Sequence, residues 1–466
     1  MELLIPLDLK SKTALYEQIY GYIRSEIRNG GLKSEERLPS TRVLAEHLKV
    51  SRSTTQMAYD QLLAEGYIVS RPCKGYFVSP IECLVEGGQP GEPEMATSEP
   101  ERKGYQIDFS PRGIDLDSFP YHIWRKLSRN TLVDDNKEMF HSGHPQGEPG
   151  LREAIRSYLH SARGVNCRAD QIIVGAGSEY LLMLLSQILG QELKIAMENP
   201  TYKQAYRVFK SLGYEVLPVE MDEKGMDTQL LERSGADVAY VMPSHQFPTG
   251  VVMTVGRRQE LLKWASQKGR YLIEDDYDSE FRYKGKPIPA LQGMDRQGKV
   301  IYLGTFSKCI APAIRVSYLV LPLELLKIYK EKAGFYASTV SRIDQNILYQ
   351  FLSGGYFERH LNRMRGIYKA KHDIFLEEAA AFGENFQIGG EYAGIHILLT
   401  GRKGQKEKEL TEQAAEAGIC VYGLSSFLIH PEMTRRPGTV VLGYASLRED
   451  EIREGIRILA RCWKQG

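Results

Sequence analysis

Lys308 and Arg315, seven residues apart, carry the sharpest chemistry in this chain. Lys308 closes the string Gly304-Thr305-Phe306-Ser307-Lys308, which follows the apolar run Val300-Ile301-Tyr302-Leu303. A primary amine at the end of a buried strand can form a Schiff base with an aldehyde. A guanidinium nearby can grip a phosphate through two parallel N–H donors. With the hydroxyls of Thr305 and Ser307 beside them, the two suit an aldehyde cofactor that carries a phosphate.

Three other strings could serve the same chemistry. Gly175-Ala176-Gly177-Ser178-Glu179 follows an apolar run and opens a helical stretch. A helix start built from small residues offers free N–H groups and a positive dipole end to a phosphate. Glu198-Asn199-Pro200-Thr201-Tyr202 places a tyrosine just past a strand end, where its ring stacks on a flat cofactor or simply lines a surface turn. Glu274-Asp275-Asp276-Tyr277-Asp278 also follows an apolar run. A carboxylate beside a pyridine nitrogen keeps it protonated and makes the ring a better electron sink. Tyr277 could donate to a phenolic oxygen of that ring. The same acidic run also reads as a solvated turn or a metal site.

The elements that must position these residues alternate. Ile172–Val174, Lys194–Met197, Val238–Met242, Tyr271–Glu274 and Val300–Leu303 are short apolar strand candidates. Leu151–His160, Glu179–Leu189 and Gly256–Gln267 are amphipathic helix candidates among them. That alternation predicts an α/β unit with a mostly parallel sheet and helices on both faces. From about residue 345, a long helix over Ile347–Lys369 and strands near Gly394–Leu399 and Thr439–Tyr444 predict a smaller α+β lobe, approximately 345–466.

The chain has 466 residues, enough for two or three domains. Its net charge is +1, so any nucleic-acid surface must be local. No run reaches the roughly 18 apolar residues of a membrane helix, and residues 1–10 do not resemble a signal peptide. Six scattered cysteines without a Cys-x-x-Cys pair suit reduced thiols in a cytoplasm and give no metal site.

The first 78 residues have a different texture. Leu15, Ile19, Tyr22, Ile23 and Ile27 give Thr13–Arg28 one apolar helical face. Ser40 caps a second helix, Thr41–Leu48, and the turn Lys49–Ser53 leads to a third, Thr54–Glu65, with Ala58, Leu62 and Leu63 facing the core. The third helix opens with Thr54, Thr55 and Gln56 exposed beside Arg52 and Ser53, placed to reach base edges and phosphates. Tyr67–Ser70 and Gly75–Val78 form a hairpin with Lys74 at its tip. Spacing alone also permits a three-helix packing or dimerisation domain. Between the two regions, residues 79–106 are rich in Gly, Pro and Glu and read as a flexible linker.

Leu38-Pro39-Ser40-Thr41-Arg42, Val50-Ser51-Arg52-Ser53-Thr54, Ala58-Tyr59-Asp60-Gln61-Leu62 and Glu65-Gly66-Tyr67-Ile68 closely resemble the GntR-type winged helix of bacterial repressors. The resemblance implies that Arg42, Arg52, Ser53, Thr54 and Lys74 face a double-stranded DNA operator. From about residue 107 to 460, the ordered strand-end residues and Pro243–Gly250 resemble fold-type I pyridoxal-phosphate enzymes, the aspartate aminotransferase superfamily. The whole chain resembles the MocR/GabR group of GntR-family regulators, most specifically in Glu274–Tyr283 and in Gly304–Lys308 followed by Ala311-Pro312 and Arg315.

That resemblance implies pyridoxal 5′-phosphate as cofactor and Lys308 as its Schiff-base lysine. Asp275 would partner the pyridine nitrogen and Tyr277 the phenolic oxygen. Arg315, Thr305, Ser307 and the backbone of Gly177, Ser178 and Glu179 would cradle the phosphate, and Tyr202 would stack on the ring. It divides the chain into a DNA-binding domain (1–78), a linker (79–106) and an effector domain (107–466). It further implies a head-to-tail homodimer that reads two half-sites.

The chain departs from the aminotransferase pattern at three places. Phe247 stands where an asparagine usually precedes Pro-Thr-Gly, leaving His245 or Gln246 to reach the ring oxygen. Ser142 is too short to replace a tyrosine that reaches a neighbouring subunit's phosphate. Val441 stands where an arginine usually anchors a substrate carboxylate, with Arg435 and Arg436 nearby. The expectation is therefore a regulator in which an amine or amino-acid effector exchanges with Lys308 to form an external aldimine, without efficient turnover. A working aminotransferase with a DNA-binding arm and a sensor of pyridoxal phosphate itself are the alternatives.

Overall fold

Thirty-five of the first eighty residues sit in three helices, and the second and third start on serine caps written into the sequence. The computed structural model describes residues 3–80, 104–132, 137–267, 269–283, 288–430 and 437–463. In the first unit, Met1–Arg102, α1 is Leu15–Arg28, α2 is Thr41–Leu48 and α3 is Arg52–Ala64. Ser40 accepts the N–H of Val43 and Ser51 that of Thr54, so each helix after the first starts on a serine cap. Because Ser51 is the cap, α3 begins at Arg52 rather than at Thr54.

One consequence corrects the reading of Thr55 as exposed: it is fully buried. Its hydroxyl donates to the Thr41 carbonyl at 2.9 Å and ties α3 to α2. The core is Ile19, Ile23, Leu44, Ala58, Tyr59 and Leu62. A hairpin closes the unit, β1 (Ile68–Arg71) against β2 (Gly75–Val78), with Arg71 opposite Gly75. Tyr76 of the hairpin meets Tyr59 edge to face at 4.9 Å. The result is a helix-turn-helix with a wing.

The second unit is Lys103–Gly466, and most of the stretch read as a linker lies outside the described residues. In chain order it runs β3 (Ile107–Asp108), α4 (Tyr121–Thr131), α5 (Pro149–Arg163), β4 (Ile172–Gly175), α6 (Ser178–Leu189), β5 (Lys194–Asn199), α7 (Lys203–Ser211), β6 (Glu215–Asp222), β7 (Gly225–Met226), α8 (Thr228–Ser234), β8 (Val238–Val241), α9 (Val255–Ala265), β9 (Tyr271–Asp276), β10 (Val300–Thr305) and β11 (Ser317–Val320). All of these strands except β3 form one sheet in the order β4-β11-β10-β9-β8-β5-β6-β7. All five expected strands are present, and the pairs joining β10, β9, β8, β5 and β6 are parallel. The central strands are covered on both faces. Ile173, Tyr240, Ile273 and Ile301 point into one core, while Ile172, Val174 and Tyr302 point into another.

After β11 come α10 (Leu323–Lys332), α11 (Arg342–Ser353) and α12 (Tyr356–Ala379). The single helix expected over Ile347–Lys369 is two, broken at Gly354-Gly355, where Gly355 takes φ +67°. A second sheet follows, built from β12 (Phe386–Gly389), β13 (His396–Gly401), β15 (Tyr422–Gly423) and β16 (Thr439–Gly443). Between its strands lie α13 (Glu407–Glu416) and β14 (Ile419–Cys420), the latter paired with β3, and α14 (Glu449–Cys462) ends the described chain. The smaller lobe differs from the span 345–466. Ile347, Leu348, Phe351 and Phe357 pack in the large lobe with Leu151 and Ile155, while Ile107 and Phe109 join the small lobe with Phe375. Helical texture does not say which core a helix will enter.

Candidate functional site

In the first unit, every residue read as facing DNA lies at the surface or half-buried. Arg52, Ser53 and Thr54 form the opening turn of α3, and Lys74 sits at the wing turn with its N–H on the Arg71 carbonyl at 3.0 Å. Among the described residues, the Arg52 guanidinium has no ion-pair or hydrogen-bond partner, so it is available to an outside phosphate or base. The hydroxyls of Ser53 and Thr54 each lie 2.7 Å from the Ser51 Oγ. Arg42 leans on Glu46 at 3.1 Å, an exposed pair worth about 0.3–0.5 kcal/mol and easily exchanged for a phosphate.

In the second unit, one cavity gathers the rest apart from Gly177, which caps α6 beside it. It is lined by Ser178 and Glu179 at the start of α6, Tyr202 after β5, Asp275 in β9 and Tyr277 just past it, Thr305 at the end of β10, and Ser307, Lys308 and Arg315 between β10 and β11. These are carboxyl ends of parallel strands, where open α/β sheets bind ligands.

The alternation of β9 selects among the acidic residues. Asp276 points into the sheet's far side, paired with Arg163 at 2.8 Å and accepting the Tyr302 hydroxyl at 2.5 Å. Glu274 accepts the N–H groups of Leu291 and Gln292, both at 2.8 Å. Asp275 faces the cavity and accepts the Tyr240 hydroxyl. Burial pushes its pKa up to about 7, with Tyr240 pulling the other way. A ring N–H beside it would favour its charged form. All three carboxylates are buried, so the string is no solvated turn. Among the described residues, no group of three or more His, Cys, Asp or Glu side chains could hold a metal ion.

Lys308 donates to the Arg112 carbonyl at 2.9 Å and to that of Pro111 at 3.5 Å. Burial lowers its pKa to about 8, with the Arg112 charge helping and Asp278 opposing. About a tenth of the amine is then neutral and nucleophilic at pH 7, against well under a thousandth for an ordinary lysine of pKa about 10.4. The phosphate end is marked by Arg315, which bonds to Glu179 at 2.8 Å beside the N-terminus of α6. The cap residue Gly177 takes φ +96°, and a Cβ there would lie 2.2 Å from the Arg315 Nη2. Only glycine leaves that space open. The Ser317 hydroxyl donates to Thr305 Oγ1 at 2.8 Å and fixes it at the cavity wall.

Amine, buried carboxylate, guanidinium and glycine-lined helix start thus fit pyridoxal 5′-phosphate. Lys308 would hold its aldehyde, Asp275 its ring nitrogen, and Arg315 with the α6 start its phosphate.

Two substitutes considered for the ring oxygen do not reach the cavity wall. Gln246 donates to the Pro200 carbonyl at 2.8 Å and accepts from Thr249 at 2.6 Å, bracing its own turn. His245 Nδ1 lies 2.9 Å from Asp278 and 3.0 Å from the Tyr277 hydroxyl, behind the wall. Phe247 itself lines the cavity, edge-on to Tyr202 at 6.1 Å. Val441 is fully buried, opposite Leu398 and Tyr422 in its sheet. Ser142 is exposed, and Arg435 and Arg436 lie outside the described residues.

The sequence reading missed Arg112, Pro111, Tyr240 and Ser317. Tyr240 and Ser317 sit in buried strands and read as core. Arg112 falls in Phe109-Ser110-Pro111-Arg112-Gly113, a stretch with no periodicity to mark it.

Comparison with known proteins agrees with both halves. Residues 15–78 match the family of bacterial regulatory proteins, gntR family, and residues 115–459 match aminotransferase class I and II. An uncharacterised HTH-type transcriptional regulator, YdeL, of Bacillus subtilis is 40% identical over 97% of this chain and 97% of its own length. The probable rhizopine catabolism regulatory protein MocR of Rhizobium meliloti is 31% identical over 98% of this chain and 95% of its own. Among solved structures, the Pyrococcus horikoshii kynurenine aminotransferase in complex with PMP matches 78% of this chain and 92% of its own, with a TM-score of 0.70 and 27% identity.

Proposed function

Because this chain belongs to the MocR-type GntR-family regulators, transcriptional regulators that join a DNA-binding winged helix to an aminotransferase-like unit binding pyridoxal phosphate, we propose that it switches transcription when an amine or amino acid displaces Lys308 from the cofactor. Residues 1–78 are the DNA-binding domain, 79–106 the linker and 107–466 the effector domain.

Bound in the cavity, the cofactor supplies an aldehyde that condenses reversibly with amines. The chain supplies everything else. Lys308 offers a neutral amine, Asp275 holds a proton on the ring nitrogen, and Tyr277 donates to the ring oxygen. Tyr202 covers one ring face. Arg315, Thr305, Ser307 and the N–H groups of Gly177, Ser178 and Glu179 hold the phosphate. Arg42, Arg52, Ser53, Thr54 and Lys74 contact the operator. The observation that carries the reading is the coexistence of a cavity that gathers Lys308, Asp275 and Arg315 with a winged helix whose Arg52 is exposed and, among the described residues, has no partner.

Release of Lys308 from the cofactor changes what its amine bonds to, and the two states of the unit hold the DNA-binding domains differently. A homodimer with each site near the partner is supported by uncovered apolar side chains. Phe335 and Tyr336 are exposed, and Thr339, just beyond them, accepts the Ala176 N–H at 3.0 Å beside the phosphate end.

The test is DNA affinity at fixed salt, on a duplex spanning the DNA upstream of its own coding sequence, measured without cofactor, with it, and with it plus each of the twenty amino acids and simple alkyl amines. Affinity should change only when an effective amine joins the cofactor. A full change with pyridoxal phosphate alone would make the protein a sensor of the cofactor. Turnover with a 2-oxo acid near about 1 per second per site would make it an enzyme.

A further inference from the structure

The cavity contains one cation that the cofactor does not use. Lys308 is matched to the aldehyde, Arg315 to the phosphate and Asp275 to the ring nitrogen. Arg112 also lines the cavity, and among the described residues its guanidinium has no ion-pair or hydrogen-bond partner. Its charge is felt at two points of the site, disfavouring protonation of Lys308 and favouring ionisation of Tyr202. A cation left unmatched beside an amine-binding centre calls for a ligand that brings its own anion.

The backbone holds Arg112 in this place. The Gly443 N–H at the end of β16 donates to the Phe109 carbonyl at 2.8 Å. A Cβ on Gly443 would lie 2.2 Å from the Ser110 carbonyl oxygen and 2.5 Å from the Pro111 Cα. Segment 109–112 is therefore pressed onto the end of β16, two residues beyond Val441. The Lys308 amine also reaches this segment, at the carbonyls of Pro111 and Arg112, which puts the arginine beside the amine-binding centre. An arginine is thus delivered from the start of the second unit to the neighbourhood where Val441 offers only a buried methyl surface.

We propose that Arg112 binds the carboxylate of the effector, so the effector is an amino acid rather than a plain amine. The inference rests on the reading that an amine reaches the cofactor at Lys308. The planar guanidinium fork matches a carboxylate bidentately, and the amine of the same molecule then lies toward Lys308.

Two reagents that discharge the visible band of a lysine-bound pyridoxal phosphate test this without knowing the effector. Aminooxyacetate and methoxyamine would each exchange with Lys308 at the imine carbon: a C=N bond to the reagent's nitrogen replaces the C=N bond to lysine, the reagent's two N–H protons pass to the lysine nitrogen, and Lys308 returns as a free amine with no net loss of water; only the first carries a carboxylate. The measurement is the ratio of their second-order rate constants in the cofactor-loaded protein, divided by the same ratio for free pyridoxal phosphate. The wild type should favour aminooxyacetate by about tenfold or more, Arg112→Gln should lose most of that preference, and Arg112→Lys should fall between.

A wild-type ratio equal to that of free cofactor, or a ratio unchanged in Arg112→Gln, overturns the assignment. If Arg112→Gln fails to hold cofactor, acetate decides on the wild type: it should slow aminooxyacetate competitively, and no slowing overturns the proposal. A wild type that develops no visible band with added pyridoxal phosphate would instead defeat the underlying cofactor reading.

Discussion

The two functional regions differ in where their working side chains sit: the winged helix holds its own largely in solvent, while the cavity buries Asp275, half-buries Lys308 and leaves Arg112 and Arg315 exposed. In the winged helix, Arg52, Ser53, Thr54 and Lys74 come from two short elements, and Arg52 and Lys74 stand in solvent. In the cavity, Arg112, Tyr202, Asp275, Lys308 and Arg315 come from strand ends and loops spread over some two hundred residues, and Asp275 is buried. A DNA surface needs charge that reaches outward, and water does not spoil it. Schiff-base chemistry needs an amine that is not fully protonated, which takes desolvation. The first can be built locally; the second needs a whole sheet to exclude solvent.

That contrast can be broken by experiment. The largest effect belongs to Lys308→Ala, which should abolish the visible band with added pyridoxal phosphate while the cofactor-free protein still binds DNA. Loss of both functions would mean that the regions are not separable in this way. Next is Arg52→Ala, expected to weaken DNA binding about 10- to 100-fold at fixed salt and to leave the band intact. A gel shift with unchanged affinity would remove Arg52 from the interface.

The pH dependence sharpens the comparison further. Burial depresses the Lys308 pKa to about 8, so its reactive neutral form is lost below that pH and gained above it. The rate of condensation with added cofactor should rise between pH 7 and 9 and then level, whereas an ordinary lysine, with a pKa of about 10.4, would keep gaining. Stopped-flow absorbance checks this, and a profile still climbing at pH 10 would show that the cavity does not desolvate Lys308. The smallest effect should come from Ser51→Ala. It removes the cap of α3 at a cost of about 1 kcal/mol and should lower the melting temperature of the first unit alone.

Much of the fold was legible because local rules agree with it. Serine caps, apolar periodicity and the alternation of strands with helices place α1 to α3 and five of the eight strands of the large sheet. The misses have physical causes. Ser51 could be read as turn or cap, and Thr55 as exposed or core, because an alcohol is at home in either. Gly354-Gly355 sits inside a helical pattern that does not by itself announce a break. The antiparallel β11 carries Ser317 and Tyr318, which do not read as an apolar run.

By itself, the sequence determined the kind of chemistry: an amine, an acidic run and a glycine-rich helix start, each after an apolar strand, a guanidinium seven residues past the amine, and a capped helix pair with a basic first turn. Which members of those strings do the work was decided by tertiary structure. The alternation of β9 turns Asp275 to the cavity and Asp276 to Arg163, and the pairing of β11 with β10 brings Ser317 to Thr305. Arg112 lies almost two hundred residues from Lys308 in the chain and within reach of it in space. Spacing along a chain can encode a helix face or a strand face. It cannot encode which distant loop will be pressed against a strand end, because that depends on how every intervening core packs.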